Sequence, residues 1–227
     1  MRAGINDGGQ AGESGMALTW IATGLSRDLP NGVVMAGHWR GTDLAVWRSA
    51  SGKLAAWKDR CPHRGMRLSH GFVRGETLAC IYHGWVYDTA GACQHIPAHP
   101  ALTPPAAIRT EAFACVEADG VLWLAPAGTA EPPPKLTGLR PLRSITLTGD
   151  RAAILAAILA AEPALAEQDM LRGTVLIAGQ AQEICLLVQA GPEGTVLHAL
   201  CGEGAGAVLA SRWLEDLRRR AEEGIAA

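Results

Sequence analysis

The sequence predicts a mainly β N-terminal module that carries two loops, followed by a small α+β unit. Three observations predict this fold class. Short apolar stretches separated by turn-forming residues fill the first half of the chain, as is typical of antiparallel strands. A Pro-rich segment at 130–135 interrupts the chain after its middle. Beyond it, segments with helical and strand periodicity alternate.

The N-terminal strands are predicted from hairpin patterns. Leu44–Trp47 and Leu54–Trp57 flank a Ser-Gly turn, and they belong to a β platform that covers residues 18–59. A second hairpin joins Arg109–Glu117 to Val121–Ala125 through an Asp-Gly turn. These strands supply a rigid support for the segment between them.

That segment, residues 60–88, holds two Cys/His pairs: Cys61 with His63, and Cys80 with His83. Thiolates suit iron in a sulfide-bridged cluster, and two neutral imidazoles raise the reduction potential above that of an all-cysteine centre. Structural zinc and ordinary core residues are the alternatives. Zinc fingers usually pair Cys with Cys and His with His along the chain, whereas each loop here mixes them. The pattern therefore favours an iron–sulfur site.

The loops also contain residues typical of tight turns. Pro62 and Gly65 lie in the first loop, and Gly84 lies in the second. Such turns let backbone N–H groups approach the sulfur atoms of a cluster.

The motifs RCPHRGMRLSHG and CIYHGWVYDTAGACQHIP resemble the Rieske domain of Rieske non-haem iron oxygenases, over about residues 18–126. The resemblance implies an antiparallel β-sandwich with two cluster-binding loops and a Rieske-type 2Fe-2S cluster. It implies that Cys61 and Cys80 bind one iron and that His63 and His83 bind the other. The resemblance also places four residues around the ligands: Arg64, Gly65, Gly84 and Trp85.

The resemblance is to the oxygenase type of Rieske domain rather than to the respiratory type. Met66 and Tyr82 stand where respiratory Rieske proteins carry the two cysteines of a disulfide. Respiratory proteins also have a serine soon after the second histidine that hydrogen-bonds a cluster sulfur, whereas here Trp85 follows His83-Gly84. Fewer hydrogen bonds to sulfur stabilise the reduced cluster less. We therefore expect a potential near the low end of the Rieske range, at about −150 mV.

After the Pro-rich segment, the pattern predicts the order β-α-β-β-β-α. The predicted strands are Ser144–Thr148, Thr174–Ile177, Ile184–Gln189 and Thr195–Leu200. Asp150 is placed to cap the first helix, whose apolar stripe comprises Ile154, Leu155, Ile158 and Leu159. The second helix, 207–223, would bury Leu209, Trp213 and Leu217 and pair Glu215 with Arg219 and Asp216 with Arg220.

The predicted organisation has four parts. Residues 1–15 form a disordered tail, which leaves Met1 or Met16 as the start, and residues 16–130 form the Rieske domain. Residues 131–140 form a Pro-rich linker, and residues 141–227 form a small α+β domain that is compatible with a cut-down oxygenase catalytic fold.

Composition excludes several classes of function. The chain has 227 residues, a net charge of −2 and 19% charged residues, so it offers no electrostatic case for nucleic acid or anionic membrane. Its longest apolar run, 152–161, is too short to cross a bilayer. Besides the two proposed ligands, four cysteines are scattered without pattern, which favours free thiols and a cytoplasmic location.

A complete Rieske oxygenase also carries a mononuclear iron held by two histidines and one carboxylate. His198 is the only histidine after His99, and the Pro97 that separates His95 from His99 argues against a helical metal pair.

The leading hypothesis is therefore an electron-transfer protein of a non-haem iron oxygenase system. The alternative is a short oxygenase component, for ring hydroxylation or demethylation, whose iron site is completed by another chain. A redox-sensing or ligand-binding regulator is a third hypothesis, and whether the chain is an enzyme stays open.

The expected partners are a reductase, a terminal oxygenase, or both, with a homo-oligomer also compatible with the sequence. His83 is the expected exit for electrons. Four arginines crowd the same stretch, and they suit either docking of an acidic protein or pairing with acids of the same domain. They are Arg60, Arg64, Arg67 and Arg74.

Overall fold

The computed structural model describes residues 19–167, 170–204 and 206–226. The tail expected at residues 1–15 and both candidate start positions lie outside these residues. The described elements are β1 Ile21–Leu25, β2 Val34–Trp39, β3 Thr42–Arg48, β4 Leu54–Lys58, β5 Phe72–Arg74, β6 Thr77–Ala79, β7 Val86–Asp88, β8 Cys93–His95, β9 Ala112–Ala118, β10 Val121–Ala125, β11 Leu139–Leu147, α1 Arg151–Ala161, β12 Leu165–Glu167, β13 Leu171–Ile177, β14 Gln180–Gly191, β15 Gly194–Gly202 and α2 Ala207–Ala226.

Two antiparallel sheets form the N-terminal half. One has six strands in the order β1-β10-β9-β4-β3-β2, and the other has four in the order β5-β6-β7-β8. Both predicted hairpins form, with Val46 opposite Ala56 in one and Trp123 opposite Val116 in the other. The mainly β fold class is therefore confirmed.

The four-stranded sheet packs on the six-stranded sheet through an aromatic core. The rings of Trp47 and Trp57 meet edge to face at 5.1 Å between centroids, and Trp57 meets Tyr87 in the same way at 6.1 Å. Aromatic pairs in this geometry contribute beyond the area they bury. Cys61 and Cys80 belong to the same buried cluster, so the core supports both loops from below.

The C-terminal half is one five-stranded antiparallel sheet, in the order β11-β15-β14-β13-β12, with two helices on one face. Helix α1 begins where predicted, because the carboxylate of Asp150 accepts hydrogen bonds from the N–H groups of Ala152 and Ala153. Its inward side chains, Ile154 and Ile158, are fully buried. In the described parts of the chain, neither helix has the length and apolar character needed to cross a membrane.

The other face of this sheet packs on the N-terminal half. Side chains alternate along a strand, so Leu186 points toward the helices while Leu187 points toward β1 and β10. This explains why β14 contains an unbroken apolar run. Leu136 and Leu139, at the end of the Pro-rich segment, are buried in the same shared core.

The C-terminal half differs from prediction in three features. Strand β12 was not predicted, and β11 begins at Leu139 rather than Ser144. Leu209, expected on the buried face of α2, is 45% exposed, because the inward face is formed chiefly by Ala210, Leu214, Leu217 and Ala221.

The ion pairs on α2 agree with prediction only in part. Asp216 and Arg220 pair as expected, at 3.0 Å. Glu215 pairs with Arg218 and with Arg143 of β11, each at 3.0 Å, instead of with Arg219. The difference arises because β11, which the helical pattern does not include, supplies a competing cation.

Candidate metal centre

The two loops close by the same hydrogen-bond pattern. In the first, the N–H of Cys61 donates to the carbonyl of Met66 at 2.8 Å, and the N–H of Gly65 donates back to Cys61 at 2.8 Å. In the second, Cys80 donates to Trp85 and Gly84 donates to Cys80, at 2.8 and 3.0 Å. Each loop is therefore a tight turn that begins at its cysteine.

The glycines are needed for this closure. Gly65 and Gly84 have φ of +71° and +69°, in the left-handed region that side chains other than glycine rarely adopt. The prediction of tight turns at these two positions is confirmed.

The closed turns bring all four predicted ligand residues together. Cys61 and Cys80 are 4% and 3% exposed, and the rings of His63 and His83 lie 4.6 Å apart between centroids. His63 is half-buried, whereas His83 is exposed. The site therefore has an enclosed thiol side and an imidazole side that faces solvent.

An unpartnered nitrogen supports metal binding at this position. Nδ1 of His63 is buried and forms no hydrogen bond within the described residues. Buried polar atoms in native proteins are nearly always paired, so an orphaned nitrogen requires an explanation. Two free thiols beside two imidazoles form the donor set that a Rieske-type 2Fe-2S cluster needs, so the residues fit that group.

Local electrostatics act on the same donor set. Burial raises the pKa of the Cys80 thiol, and the neighbouring Cys61 adds to this, whereas hydrogen bonds from the backbone N–H groups of Tyr82 and His83 lower it. The pKa of His63 is lowered, chiefly by desolvation of the ring and further by electrostatic interaction with His83 and Arg64. This direction favours the neutral imidazole, which is the form that binds metal.

Tyr87 is a site residue that the sequence reasoning missed. Its hydroxyl lies 3.1 Å from Sγ of Cys61, and burial raises its pKa far above the ordinary tyrosine value, so the O–H proton is retained. A phenolic O–H can donate to a ligand sulfur. Residues 61 and 87 are distant in sequence, so no local spacing indicates this contact.

A buried carboxylate anchors the first loop, and this was also missed. Asp59 accepts hydrogen bonds from the N–H and hydroxyl of Ser69, at 2.7 and 2.6 Å. Arg67 reaches Asp59 at 3.6 Å and Asp43 at 2.9 Å. The residues that follow the loop are therefore tied to Asp59, just before it, and to Asp43 of β3.

The remaining sequence-predicted residues differ in their surroundings. Trp85 stacks on His63, at 4.4 Å between centroids and 6° between ring planes. Arg64 is exposed and forms no ion pair with any described residue. His95 and His99 are exposed and do not lie in a helix, as the proline between them predicted.

Both ring nitrogens of the single histidine in the C-terminal half face hydrogen-bond partners within the protein. His198 is buried, with Nδ1 2.8 Å from the hydroxyl of Ser144 and Nε2 3.5 Å from Oε1 of Gln189. Burial lowers its pKa to about 4. Within residues 19–167, 170–204 and 206–226, no three or more His, Cys, Asp or Glu side chains converge on a position for a single metal ion, which differs from the two Cys/His pairs that a two-iron cluster needs.

Comparison with known sequences identifies the N-terminal part. The model of the Rieske [2Fe-2S] domain matches residues 19–110. The oxidoreductase NdmD of Pseudomonas putida is 41% identical over 105 residues, which cover 46% of this chain and 18% of that protein. A 4beta-methylsterol monooxygenase of Methylococcus capsulatus is 42% identical over 112 residues, which cover 44% of this chain and 30% of the enzyme. The chain thus spans less than a third of the length of these two relatives.

The structural likeness extends further along the chain. NdmB of Pseudomonas putida CBB5 superimposes with a TM-score of 0.68 at 17% identity, covering 91% of this chain and 80% of that one. At this identity the likeness shows a shared fold alone. Because it covers most of the chain, it includes residues after the matched domain.

Proposed function

This chain carries a Rieske [2Fe-2S] domain, and from that premise we propose that it is an electron-transfer protein, passing single electrons to or within a non-haem iron oxygenase system. A cluster of this kind, when bound, takes up and releases one electron at a time. We assign Cys61 and Cys80 to one iron and His63 and His83 to the other.

The chain's own residues would divide the work of holding this group. The two closed turns orient the ligands, and the aromatic core below excludes water from the sulfur side. Tyr87 and the backbone N–H groups of Tyr82 and His83 direct hydrogen-bond donors at the two cysteine sulfurs. Donors at sulfur stabilise the more negative, reduced state.

One observation carries the proposal: the imidazole side opens to solvent while the thiol side is enclosed. His83 is exposed and Cys61 and Cys80 are buried. An electron carrier needs such an asymmetry, because its partner must approach one edge while water is kept from the rest. His83 is accordingly the proposed exit.

The C-terminal half supports an electron carrier over a self-sufficient oxygenase. A facial triad needs two histidines, and His198 is the only histidine in that half. Its nitrogens already face Ser144 and Gln189. This chain alone therefore does not supply the protein ligands for a mononuclear iron in that half.

The fold comparison favours a second candidate function. Because NdmB and a dicamba monooxygenase each share the fold over 91% of this chain, residues 141–227 are proposed to be a cut-down form of an oxygenase catalytic domain. The chain would then be a short oxygenase component, acting in hydroxylation or demethylation, whose iron site is completed by a partner chain.

Metal content separates the two candidates. Iron and acid-labile sulfide would be counted per chain in anaerobically purified protein, together with the spectrum of the reduced state. Equal iron and sulfide with a Rieske-type signal would favour the electron carrier. An additional iron without sulfide would favour the oxygenase component, and protein without any cluster would contradict both.

The ligand assignment has its own test. Cys61→Ala, His63→Ala, Cys80→Ala and His83→Ala should each lose the Rieske-type spectrum, because each removes a ligand. Cys115→Ala is the matched control, since Cys115 is a partly buried free thiol outside the loops. Any of the four variants with an unchanged spectrum would remove that residue from the ligand set.

A further inference from the structure

We propose that the electron-transfer partner docks on a positively charged, apolar face around His83, and that this partner is a protein with an apolar centre and an acidic rim. The inference rests on the proposed function. The docking face is defined here by Arg60, Arg64, Phe72, Arg74, Ile81, Tyr82 and His83.

The first support is the distribution of charge. Residues 60–84 contain four arginines and one acidic residue, although the whole chain has a net charge of −2. The one acidic residue, Glu76, is paired with Ser51 and Lys53 on the neighbouring hairpin. The stretch that carries the ligands is thus strongly cationic within an otherwise slightly acidic protein.

The second support is that the structure distinguishes the arginines used internally from those that are free to bind. Arg67 pairs with Asp43 and Asp59, so it orders the loop. The side chain of Arg60 donates to the carbonyl of Gly65, at 3.4 Å, and to no other described residue. Arg64 and Arg74 are exposed, and their guanidinium groups form no ion pair or hydrogen bond among the described residues. Their charge therefore remains available to a partner.

The third support is an exposed apolar group beside the same histidine. Phe72, Ile81 and Tyr82 are 51%, 49% and 56% exposed, and the ring of Tyr82 lies 3.9 Å from that of His83. Phe72 stands opposite Ala79, one residue before Cys80, and shares the outward side of β5 with Arg74. Large apolar side chains grouped at a functional edge are typical of a docking site.

The combination defines the partner. Apolar contacts in the centre of an interface supply affinity, and complementary charges at its rim guide the approach. Because the free cations on this face are arginines, the matching rim consists of carboxylates. A small acidic [2Fe–2S] ferredoxin has these properties and serves as the probe.

The first experiment measures binding, independently of electron transfer. Isothermal titration calorimetry with the acidic ferredoxin should show binding to the cluster-loaded protein that weakens as salt is raised. Arg64→Glu/Arg74→Glu should weaken binding at least about tenfold at low salt. The control variant Lys135→Glu/Arg212→Glu makes the same change of charge on exposed residues outside the docking face. It should leave the affinity for the ferredoxin unchanged. Equal effects of the two double variants would overturn the proposal.

A second pair of variants tests the apolar group. Phe72→Ser should weaken binding several-fold, whereas Leu176→Ser, which removes a 73% exposed side chain from the C-terminal sheet, should not. If Arg64→Glu, which lies beside His63, prevents cluster loading in the double variant, the single variant Arg74→Glu replaces it in the charge test. Identical affinities for Phe72→Ser and Leu176→Ser would contradict the apolar part of the face.

Small redox probes separate failure of this inference from failure of the proposed function. Each reduced protein would give one electron to ferricyanide, an anion, or to tris(phenanthroline)cobalt(III), a cation. The wild-type rate with ferricyanide should fall with salt, and this dependence should be lost in Arg64→Glu/Arg74→Glu. If both probes react and salt has the same effect in wild type and variant, only the docking face is wrong. If neither probe reacts with the wild-type protein, the electron-transfer function fails, and this inference fails with it.

Discussion

At the scale of single residues, burial and neighbouring groups decide what a cysteine side chain can do, more than the residue type does. Cys61 and Cys115 are both cysteines, but only Cys61 contacts a phenol and lies beside a second thiol, that of Cys80. Desolvation raises the pKa of Cys115 to about 12, despite the opposing effect of Arg48, which makes it an inert thiol. Burial also raises the pKa of Tyr87, so its hydroxyl keeps the proton that it can donate to Sγ of Cys61.

We expect Tyr87→Phe to lower the midpoint potential of the bound cluster. The substitution removes the O–H group 3.1 Å from Sγ of Cys61, and a donor at sulfur stabilises the reduced state. A difference of about 1 kcal/mol between oxidation states corresponds to roughly 40 mV for one electron. Tyr82→Phe, at an exposed tyrosine, is the control. Redox titration that gives equal potentials for the two variants would contradict the role of Tyr87.

His198 predicts a particular dependence of stability on pH. Its pKa falls from 6.5 to about 4 on folding because the ring is buried, so the unfolded chain binds a proton that the folded chain does not. Its contribution is therefore present above pH 6.5 and is lost as the pH falls toward 4.

Urea denaturation at pH 7 and pH 5 measures this effect. The wild-type protein should lose about 1–2 kcal/mol more than His198→Gln over that interval, because glutamine does not titrate. Equal losses in the two proteins would show that His198 is not the group responsible.

At the scale of elements, short-range hydrogen bonds account for the features that position the ligands. Each cluster loop is closed by bonds between a cysteine and residues four and five positions later. Helix α1 is started in the same local way by Asp150. Such bonds depend on a few neighbouring residues, so their consequences are visible in sequence patterns.

Asp150→Ala should lower the free energy of unfolding by about 1 kcal/mol. The reason is that two N–H groups at the start of α1, those of Ala152 and Ala153, lose their acceptor. Asp150→Asn keeps a side-chain oxygen and should stay close to wild type in urea denaturation. A loss of the same size in both variants would point to charge rather than capping.

At the scale of the whole molecule, the two halves share a core. Trp123 of β10 and Leu187 of β14 belong to one buried cluster that crosses the seam between the six-stranded and five-stranded sheets. Gln189 adds a polar link, since its amide nitrogen donates to the carbonyl of His38 in β2. The C-terminal sheet is therefore covered on one side by helices and on the other by the N-terminal half.

Leu187→Ala should destabilise both halves together, by about 2–5 kcal/mol, because it opens a cavity in this shared core. Unfolding followed by far-ultraviolet circular dichroism and by the visible absorption of the cluster should give one coincident transition. Leu186→Ala, on the opposite face of β14, provides the comparison. Loss of cluster absorption in Leu187→Ala at a separate denaturant concentration would mean that the halves unfold independently.

By itself, the sequence determined the features that depend on near neighbours. The Cys/His pairs, the turns at Gly65 and Gly84, the hairpins and the cap at Asp150 could all be predicted, because each is made by residues a few positions apart. The burial of β14 on both faces could not be predicted in this way. Its apolar run is continuous rather than alternating, and such a run is compatible with a buried strand or a helix.

Only the tertiary structure decided which distant groups meet. Tyr87 reaches Cys61 because the four-stranded sheet packs over the six-stranded one. Asp43 of β3 pairs with Arg67, which lies 24 residues later in the chain, while the guanidinium groups of Arg64 and Arg74 form no ion pair among the described residues. Contacts between residues far apart in the chain follow from how sheets stack, and this depends on the whole core rather than on any local pattern.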